Sequence, residues 1–329
     1  MYKSVLITGI TGQDGSYLAE SLLSQGTIVH GFVRRTSTLR RDRIDFLSQE
    51  HILSGQLQLH YIDMNDALVI HEHLKKIRPE IIFNLAAQSH VGISFELPRE
   101  TIQTTGIGTQ ALLEAIRGLN MEIPTYQAGS SEMFGGMLGR KILNEESQFF
   151  PKSPYGAAKV LAHNLAVIYR ESYGLDIRNG ILFNHESPRR GENFVSRKIT
   201  LSAAKIFLGK QEKLSLGNLK AQRDWGHARD YVDAMQKIMT FDKAEDFVIA
   251  TGQMYSVRDF VQLVFDKLNL NIDEHLVIDQ KFFRPNEVED LVGDASKAKQ
   301  LLGWSPKTTF DELVNEMLES DLRLARTIA

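Results

Sequence analysis

Cysteine is absent from the 329 residues of this sequence. Its absence excludes disulfides, thiolate metal sites and cysteine nucleophiles, and it is typical of a reducing compartment. No apolar run approaches the ~20 residues that a membrane-spanning helix needs, and the apolar run within residues 1–8 is too short for a signal peptide. We therefore expect a cytoplasmic protein that needs neither a membrane nor a metal.

An excess of charge of one sign is also missing. The chain has 38 Lys and Arg against 41 Asp and Glu, a net charge of -3. This balance gives no general electrostatic reason to bind nucleic acid or a membrane, so an anion site has to be built locally. Internal repeats and low-complexity linkers are absent as well. With 43% hydrophobic residues, the chain is long enough for one large α/β domain or two smaller ones.

The first motif is a strand, a glycine turn and a helix. Residues 5–8 form a short apolar run, and glycines follow at positions 9, 12 and 15 before an apolar helical pattern begins. Glycine lets the backbone approach a ligand where a Cβ atom would clash, and the amino terminus of a helix offers free N–H groups to a pyrophosphate. The motif predicts a dinucleotide site, and its alternative is an ordinary turn that contains three glycines.

Further apolar runs alternate with helical patterns as far as about residue 183. Strands are expected at residues 28–33, 57–63, 81–86 and 124–128, and residues 247–250 are expected to return to the same sheet. Alternation of this kind predicts a parallel sheet with right-handed crossovers. Such sheets bind ligands at the carboxyl ends of their strands.

The second strand ends in Arg34 and Arg35, about where an NAD enzyme carries an acid for the ribose 2′-hydroxyl group. A pair of arginines suits a 2′-phosphate group instead, because guanidinium groups bind phosphate oxygens in pairs. We therefore expect NADP as the cofactor. The alternative is that both arginines lie in a solvated loop.

Tyr155 and Lys159 are the candidate catalytic pair. Residues 151–154 (PKSP) open a helix, and residues four apart in a helix lie on the same face. A phenol has a pKa of about 10, and a neighbouring ammonium group is expected to favour the phenolate, which can then take a proton from a sugar hydroxyl group. Taken alone, this spacing also occurs by chance on exposed helices.

The last third of the chain has three basic segments with aromatic neighbours. Residues 184–191 are interpreted as a polar loop outside the core, and residues 223–230 and 283–287 form the other two segments. Each could be a solvated turn. Together they are typical of the walls of an anion pocket, where arginine and lysine bind phosphates and aromatic rings stack on a base.

Several runs are more specific as a set than the glycine turn is alone. They are residues 9–16 (GITGQDGS), 33–35 (VRR), 84–89 (NLAAQS), 153–159 (SPYGAAK), 180–189 (GILFNHESPR), 223–227 (RDWGH) and 284–288 (RPNEV). Over essentially the whole chain they resemble the extended short-chain dehydrogenase/reductase family and, within it, the GDP-mannose 4,6-dehydratases. One departure is Ser130, which stands where that family usually has threonine and keeps the hydroxyl group.

The resemblance implies an α/β fold in which a Rossmann-like doubly wound parallel sheet carries a smaller α/β carboxyl-terminal substrate domain. The implied NADP-binding domain consists of residues 1–183 plus about 228–251. The implied nucleotide-sugar-binding domain consists of about residues 184–227 and 252–329. A homodimer or homotetramer is also implied.

The resemblance further implies a role for each matching residue. The implied catalytic residues are Ser130, Glu132, Tyr155 and Lys159, of which Lys159 also holds the nicotinamide ribose. The implied NADP-binding residues are Gly9, Thr11, Gly12, Gln13, Asp14, Gly15, Arg34, Arg35, Thr36, Ser37, Asp63, Met64, Leu85, Ala86, Ala87, Gln88, Ser89, Lys159, His185 and Arg190. The implied GDP-sugar-binding residues are Asn184, Lys198, Arg223, Arg284 and Glu287.

The implied reaction removes water from GDP-mannose without net redox change, and Glu132 is the residue that separates a dehydratase from a simple dehydrogenase or epimerase. Alternatives within the enzymes are a dehydratase of a related GDP-sugar, such as a GDP-heptose, and a 4-keto-sugar reductase. A non-catalytic NADP-sensing regulator could dispense with the Tyr155 and Lys159 pair. Nucleic-acid binding would show a strong salt dependence, for which the net charge gives little reason.

The Arg35→Ala variant should bind NADP(H) much more weakly than the unmodified protein while its affinity for NAD(H) changes little. The reason is that only NADP(H) carries the 2′-phosphate that the guanidinium group is expected to bind. Titration of both dinucleotides against both proteins measures the two effects. Equal losses for NADP(H) and NAD(H) would contradict the 2′-phosphate assignment.

Overall fold

A computed structural model describes residues 2–35, 41–136 and 142–327. Thr36 and Ser37, two of the predicted cofactor-binding residues, lie outside the described residues. The strands are β1 Ser4–Thr8, β2 Ile28–Val33, β3 Leu57–Tyr61, β4 Ile81–Asn84, β5 Thr125–Ala128, β6 Ile177–Leu182, β7 Asn184–Glu186, β8 Leu214–Leu216, β9 Gln222–His227, β10 Asp246–Ile249, β11 Met254–Ser256, β12 Leu276–Ile278 and β13 Asp290–Leu291.

Thirteen α-helices lie within the described residues, and in the first half of the chain they alternate with the strands. They are α1 Gln13–Ser24, α2 Asp45–Leu53, α3 Ala67–Ile77, α4 Val91–Glu96, α5 Pro98–Ile102, α6 Gly108–Gly118, α7 Pro154–Tyr173, α8 Val195–Phe207, α9 Ala228–Thr240, α10 Val257–Lys267, α11 Ile272–His275, α12 Ser296–Leu302 and α13 Phe310–Thr327. Shorter turns are the π-helical Gln103–Ile107 and the 3₁₀-helical Ser131–Met133 and Gln280–Phe282. Within the described ranges, no helix combines the length and the apolar character needed to cross a bilayer.

Within the described residues, seven strands form one parallel sheet in the order β10-β6-β5-β4-β1-β2-β3. The predicted parallel α/β sheet is therefore confirmed, including the return of the strand near residue 247. Val5, Leu6 and Ile7 are all fully buried, as expected for a central strand that helices cover on both faces. Strands β2 and β3 lie on one side of β1, and the chain then crosses to the other side of β1, where β4 lies. This switch point opens a crevice at the carboxyl ends of β1 and β4.

The later part of the chain forms a smaller layer beside the sheet. Strand β9 pairs with β7, β11 and β13, while β8 pairs with β12. Helices α8, α10 and α13 contribute a second hydrophobic core that includes Phe260, Phe265 and Met317. This layer covers one side of the crevice that the large sheet leaves open.

The interpretation of residues 184–191 as a loop outside the core is wrong for residues 184–186, which form β7, while residues 187–191 do lie in a turn. The polar segment at 223–227 is a buried strand. Glu186 is only 2% exposed, and its carboxylate lies 3.0 Å from Arg190 Nε and accepts a hydrogen bond from Ser196. Asp224 is fully buried and accepts hydrogen bonds from the Thr251 and Gly252 backbone N–H groups at 2.8 Å. Buried polar groups are tolerated when they have partners, and residue polarity alone does not show those partners.

Candidate active site

A cleft of about 1380 Å³ lies between the sheet and the smaller layer. Its floor is formed by the carboxyl ends of β1, β4, β5 and β6, and its opposite wall comes from α8, β9 and residues 281–287. Pockets for one small ligand usually enclose roughly 300–1000 Å³. The cleft therefore has room for two ligands side by side.

The glycine turn forms one end of the cleft, and its shape depends on missing Cβ atoms. Gly9 has a φ of +68°, and a Cβ atom there would lie 3.0 Å from the Ala86 backbone. A Cβ atom at Gly15 would lie 2.5 Å from the Gly9 carbonyl oxygen. Gly12 caps α1 without a side-chain hydrogen bond, so the first N–H groups of the helix adjoin the cleft. The turn therefore fits an anionic group such as a pyrophosphate.

The candidate catalytic residues meet where α7 packs on the turn that follows β5. The Ser153 hydroxyl group accepts a hydrogen bond from the Gly156 N–H group at 3.0 Å and starts the helix. A Cβ atom at Gly156 would lie 2.7 Å from the Glu132 carbonyl oxygen. Because glycine stands there, the first turn of α7 approaches residue 132 closely, and Tyr155 hydrogen-bonds with Ser130. The cleft thus brings a phenol, a hydroxyl group and a carboxylate together.

Burial dominates the charge states of the Tyr155 and Lys159 pair. It raises the pKa of Tyr155 to about 12, although the hydrogen bond with Ser130 opposes this shift. It also lowers the pKa of Lys159 to about 8. Lys159 donates to the Ala128 carbonyl at 2.8 Å, and its Nζ lies 5.9 Å from the centroid of the Tyr155 ring. Burial is thus the largest cause of both pKa shifts, and the expected activation of the phenol by Lys159 stays a prediction.

An ion pair joins the glycine turn to β7. His185 Nε2 lies 2.8 Å from Asp14 Oδ2, and His185 Nδ1 lies 2.7 Å from the Phe183 carbonyl oxygen. Burial opposes the charge on both groups, but the His185 partner lowers the pKa of Asp14, and the Asp14 partner raises the pKa of His185. Both side chains line the cleft.

Arg223, Arg284 and Glu287 on the opposite wall form a cluster with Glu132 of the turn after β5. Arg284 Nη1 lies 3.4 Å from Glu132 Oε1 and 3.6 Å from Glu287 Oε1. The buried Arg223 guanidinium lies 3.2 Å from the same Glu287 oxygen, and burial lowers the Arg223 pKa. Guanidinium groups are well suited to diphosphates. The cluster links the Glu132 side chain to the wall where a diphosphate could bind.

Most of the residues that the sequence analysis predicted for catalysis or ligand binding line the cleft. Those that line it are Gly9, Thr11, Gly12, Gln13, Asp14, Gly15, Leu85, Ala87, Ser89, Ser130, Glu132, Tyr155, Lys159, Asn184, His185, Arg190, Lys198, Arg223, Arg284 and Glu287. Their individual ligand contacts remain predictions.

Six predicted cofactor residues do not line the cleft: Arg34, Arg35, Asp63, Met64, Ala86 and Gln88. Arg34, Arg35 and Asp63 are exposed, and Arg34 Nη1 lies 3.2 Å from Glu100 Oε1. Met64 is buried in an apolar cluster beside the sheet. Gln88 turns back on its own segment, because its Oε1 accepts a hydrogen bond from the His90 N–H group at 2.6 Å. A position close to the carboxyl end of a strand does not by itself bring a side chain to the cleft, and the cofactor contacts of these six residues stay predictions.

Sequence reasoning missed other residues of the cleft, among them Arg43, His90 and Phe194. Arg43 donates to the Arg189 carbonyl at 2.6 Å and to the Thr11 carbonyl at 3.3 Å. Phe194 lies under the Arg190 guanidinium group, with 3.7 Å from Cζ to the ring centroid. No local pattern marks Arg43, because tertiary packing alone brings it beside the glycine turn.

Comparison with known proteins identifies the family. A family model described as GDP-mannose 4,6 dehydratase matches residues 6–317. The chain is 49% identical to the GDP-mannose 4,6 dehydratase of Homo sapiens, over 98% of this chain and 92% of that protein. It is 48% identical to the GDP-mannose 4,6-dehydratase of Sinorhizobium fredii, over 98% of each. The chain belongs to the GDP-mannose 4,6-dehydratase family.

Solved structures share the fold of this GDP-mannose 4,6-dehydratase family member at lower identity. The dTDP-glucose 4,6-dehydratase of Bacillus anthracis, in complex with NAD, has a TM-score of 0.85 at 21% identity over 98% of both chains. The UDP-glucose 4-epimerase of Thermus thermophilus, also in complex with NAD, has a TM-score of 0.83 at 22% identity, over 99% of this chain and 100% of that one. The Rossmann-like α/β fold is therefore shared across a wide range of sequences.

The Tyr155 phenol of the protein without ligands should stay protonated up to pH 10, because burial raises its pKa to about 12. NMR of protein labelled with ¹³C at tyrosine Cζ can follow this group, and the Tyr155→Phe variant assigns its resonance. A titration midpoint at or below pH 9 would show that Lys159 activates the phenol without any ligand.

Proposed function

We propose that this protein converts GDP-D-mannose to GDP-4-keto-6-deoxy-D-mannose with NADP, as a hydro-lyase. The observation that carries the proposal is the position of Glu132. Its backbone carbonyl lies against Gly156 at the start of α7, and its negative charge contributes to the raised pKa of Tyr155 after burial. A dehydratase needs a carboxylate beside the phenol, whereas a simple 4-epimerase does not. Family membership over nearly the whole chain supports the same substrate.

The residues of the cleft would divide the proton transfers between them. Tyr155 would take the proton of the 4-hydroxyl group while Ser130 orients that group, and the resulting 4-ketone makes the C5 proton acidic. Glu132 would then remove the C5 proton and protonate the departing 6-hydroxyl group. Bound NADP would supply redox chemistry only, since the hydride taken from C4 is returned to C6. Water is lost, and the cofactor is unchanged over the cycle.

Two further assignments belong to the proposal. The two NAD-bound structures with the same fold support a nicotinamide dinucleotide at the glycine turn, and the Arg34–Arg35 pair favours NADP over NAD. The large sheet, residues 1–183 plus about 228–251, would bind this dinucleotide, and about residues 184–227 and 252–329 would bind the GDP-sugar. The cytoplasmic location and the homodimer or homotetramer remain predictions.

Purified protein incubated with GDP-mannose should give a product lighter by the mass of one water molecule, without added reductant. Mass spectrometry of the nucleotide sugar measures this loss, and absorbance of the keto product gives its rate. GDP-heptose as a parallel substrate tests the related dehydratase, and a 4-keto-sugar with NADPH tests the reductase. Turnover of either alternative but not of GDP-mannose would overturn the proposed substrate.

The Glu132→Gln variant should lose keto-sugar formation by about 10²-fold or more, because the amide cannot accept the C5 proton. Its NADP affinity should survive, since Glu132 lies on the turn after β5 rather than at the glycine turn. Assays of product formation and of NADP binding separate the two effects. Glu319→Gln is the matched control, because this exposed residue of α13 accepts a hydrogen bond from Asn315 and does not line the cleft. A Glu132→Gln variant that keeps half of its activity would contradict the assignment.

A further inference from the structure

The Asp14–His185 pair poses an electrostatic problem within the proposed dinucleotide site. Asp14 lies in the first turn of α1, at the helix end that fits a pyrophosphate. A carboxylate and a pyrophosphate at the same place would repel each other. A compensating positive charge is therefore needed close to Asp14 whenever a dinucleotide binds.

The surroundings of His185 show where this charge comes from. One ring nitrogen lies 2.7 Å from the Phe183 carbonyl oxygen, and the other lies 2.8 Å from Asp14 Oδ2. Both partners only accept hydrogen bonds when Asp14 is ionised, so both ring nitrogens must donate. Neutral imidazole has one N–H group, whereas imidazolium has two. With Asp14 ionised, as the lowered pKa of Asp14 and the raised pKa of His185 indicate, the two contacts require a positively charged His185.

The pair is held rigidly. The His185 ring stacks on Tyr231 of α9, with 4.5 Å between centroids and 23° between planes. Gln13 Nε2 donates to the His185 carbonyl at 3.0 Å, and Gln13 Oε1 accepts from the Ser187 hydroxyl group at 2.7 Å. These contacts fix the start of α1 against β7. The charge of His185 is thus held at a constant distance from the glycine turn.

Other ionisable groups around the pair compensate Asp14 less than His185 does, although the Arg190 charge also lowers the pKa of Asp14. The Arg190 guanidinium is already 3.0 Å from the Glu186 carboxylate. Lys159 lies towards the catalytic end, where its Nζ donates to the Ala128 carbonyl. Tyr155, Tyr126 and Tyr231 are neutral phenols whose pKa values burial raises. His227, on the neighbouring strand β9, faces Glu316 at 3.2 Å.

We propose that His185 is the protonated counter-ion of Asp14, and that its charge keeps the start of α1 able to accept the pyrophosphate of the dinucleotide. This inference rests on the proposed function, because it assumes that a dinucleotide binds at the glycine turn. His185 is a positioning residue in this role. Its effect is exerted through Asp14, so the loss of His185 should be repaired by removing the Asp14 charge.

A double-mutant cycle at pH 7.5 tests this coupling through the dissociation constant for NADPH. His185→Gln should weaken NADPH binding by about tenfold or more, because it leaves the Asp14 carboxylate uncompensated. The double variant Asp14→Asn, His185→Gln should regain most of this affinity. A double variant that binds no better than His185→Gln, or worse, would overturn the proposal. Thermal unfolding and GDP binding, measured on each variant, show whether the fold and the opposite wall of the cleft are intact.

The charge state can be measured without any ligand. In ¹⁵N-histidine NMR spectra at pH 7.5, His185 should show two protonated ring nitrogens, and the His185→Gln variant assigns the signals. In Asp14→Asn the same ring should become a neutral tautomer. A neutral His185 in the unmodified protein would overturn the proposal even if NADPH binds. Failure of the unmodified protein to bind any nicotinamide dinucleotide would instead overturn the proposed function, and with it the binding role of the pair.

Discussion

The close approach of α7 to the backbone of residue 132 determines the geometry of the candidate active site. A side chain at Gly156 would place its Cβ atom 2.7 Å from the Glu132 carbonyl oxygen, so any larger residue would push the helix away. Tyr155 is the neighbour of this glycine, and Ser130 caps the short turn that carries Glu132. One tight backbone contact thus sets the distances among the phenol, the hydroxyl group and the carboxylate. The spacing between Tyr155 and Lys159 matters only once that contact exists.

The sequence predicted the parts of the fold that depend on local pattern. Strand β2 has the predicted bounds, and the glycine turn lies at the switch point of the sheet, because apolar runs and glycine spacing are local signals. The resemblance to a family predicted that most of the cleft residues belong to one site. Hydrophobic periodicity alone predicts helices and strands but not a shared site. Strand β7 was misread although the partners of Glu186, which are Arg190 and Ser196, are close in sequence. Strand β9 was misread because the partners of Asp224 come from a distant segment. Arg43 was missed for the same reason.

Charge in the cleft is arranged as local pairs. Asp14 faces His185, Glu186 faces Arg190, and Arg284 lies between Glu132 and Glu287. Such pairs limit the cost of burying each ion. A phosphate that enters the cleft must therefore either displace one partner of an existing ion pair or bind to uncapped backbone N–H groups. Such N–H groups are found at the start of α1. This arrangement explains how a chain with a net charge of -3 can still offer anion sites.

The charge states of Tyr155 and Lys159 place a requirement on the proposed reaction. Burial disfavours both the phenolate and the ammonium group, which is why the pKa of Tyr155 rises to about 12 while that of Lys159 falls to about 8. Lys159 Nζ lies 5.9 Å from the Tyr155 ring centroid, and burial remains the largest cause of the raised phenol pKa. A further positive charge close to the ring would favour proton uptake by Tyr155 near neutral pH. An oxidised nicotinamide ring carries such a charge, so the base would become active only when the oxidised cofactor is in place. The phenol would then be a weak base in the protein alone, and the cleft would be protected from unproductive proton transfer before both ligands are bound.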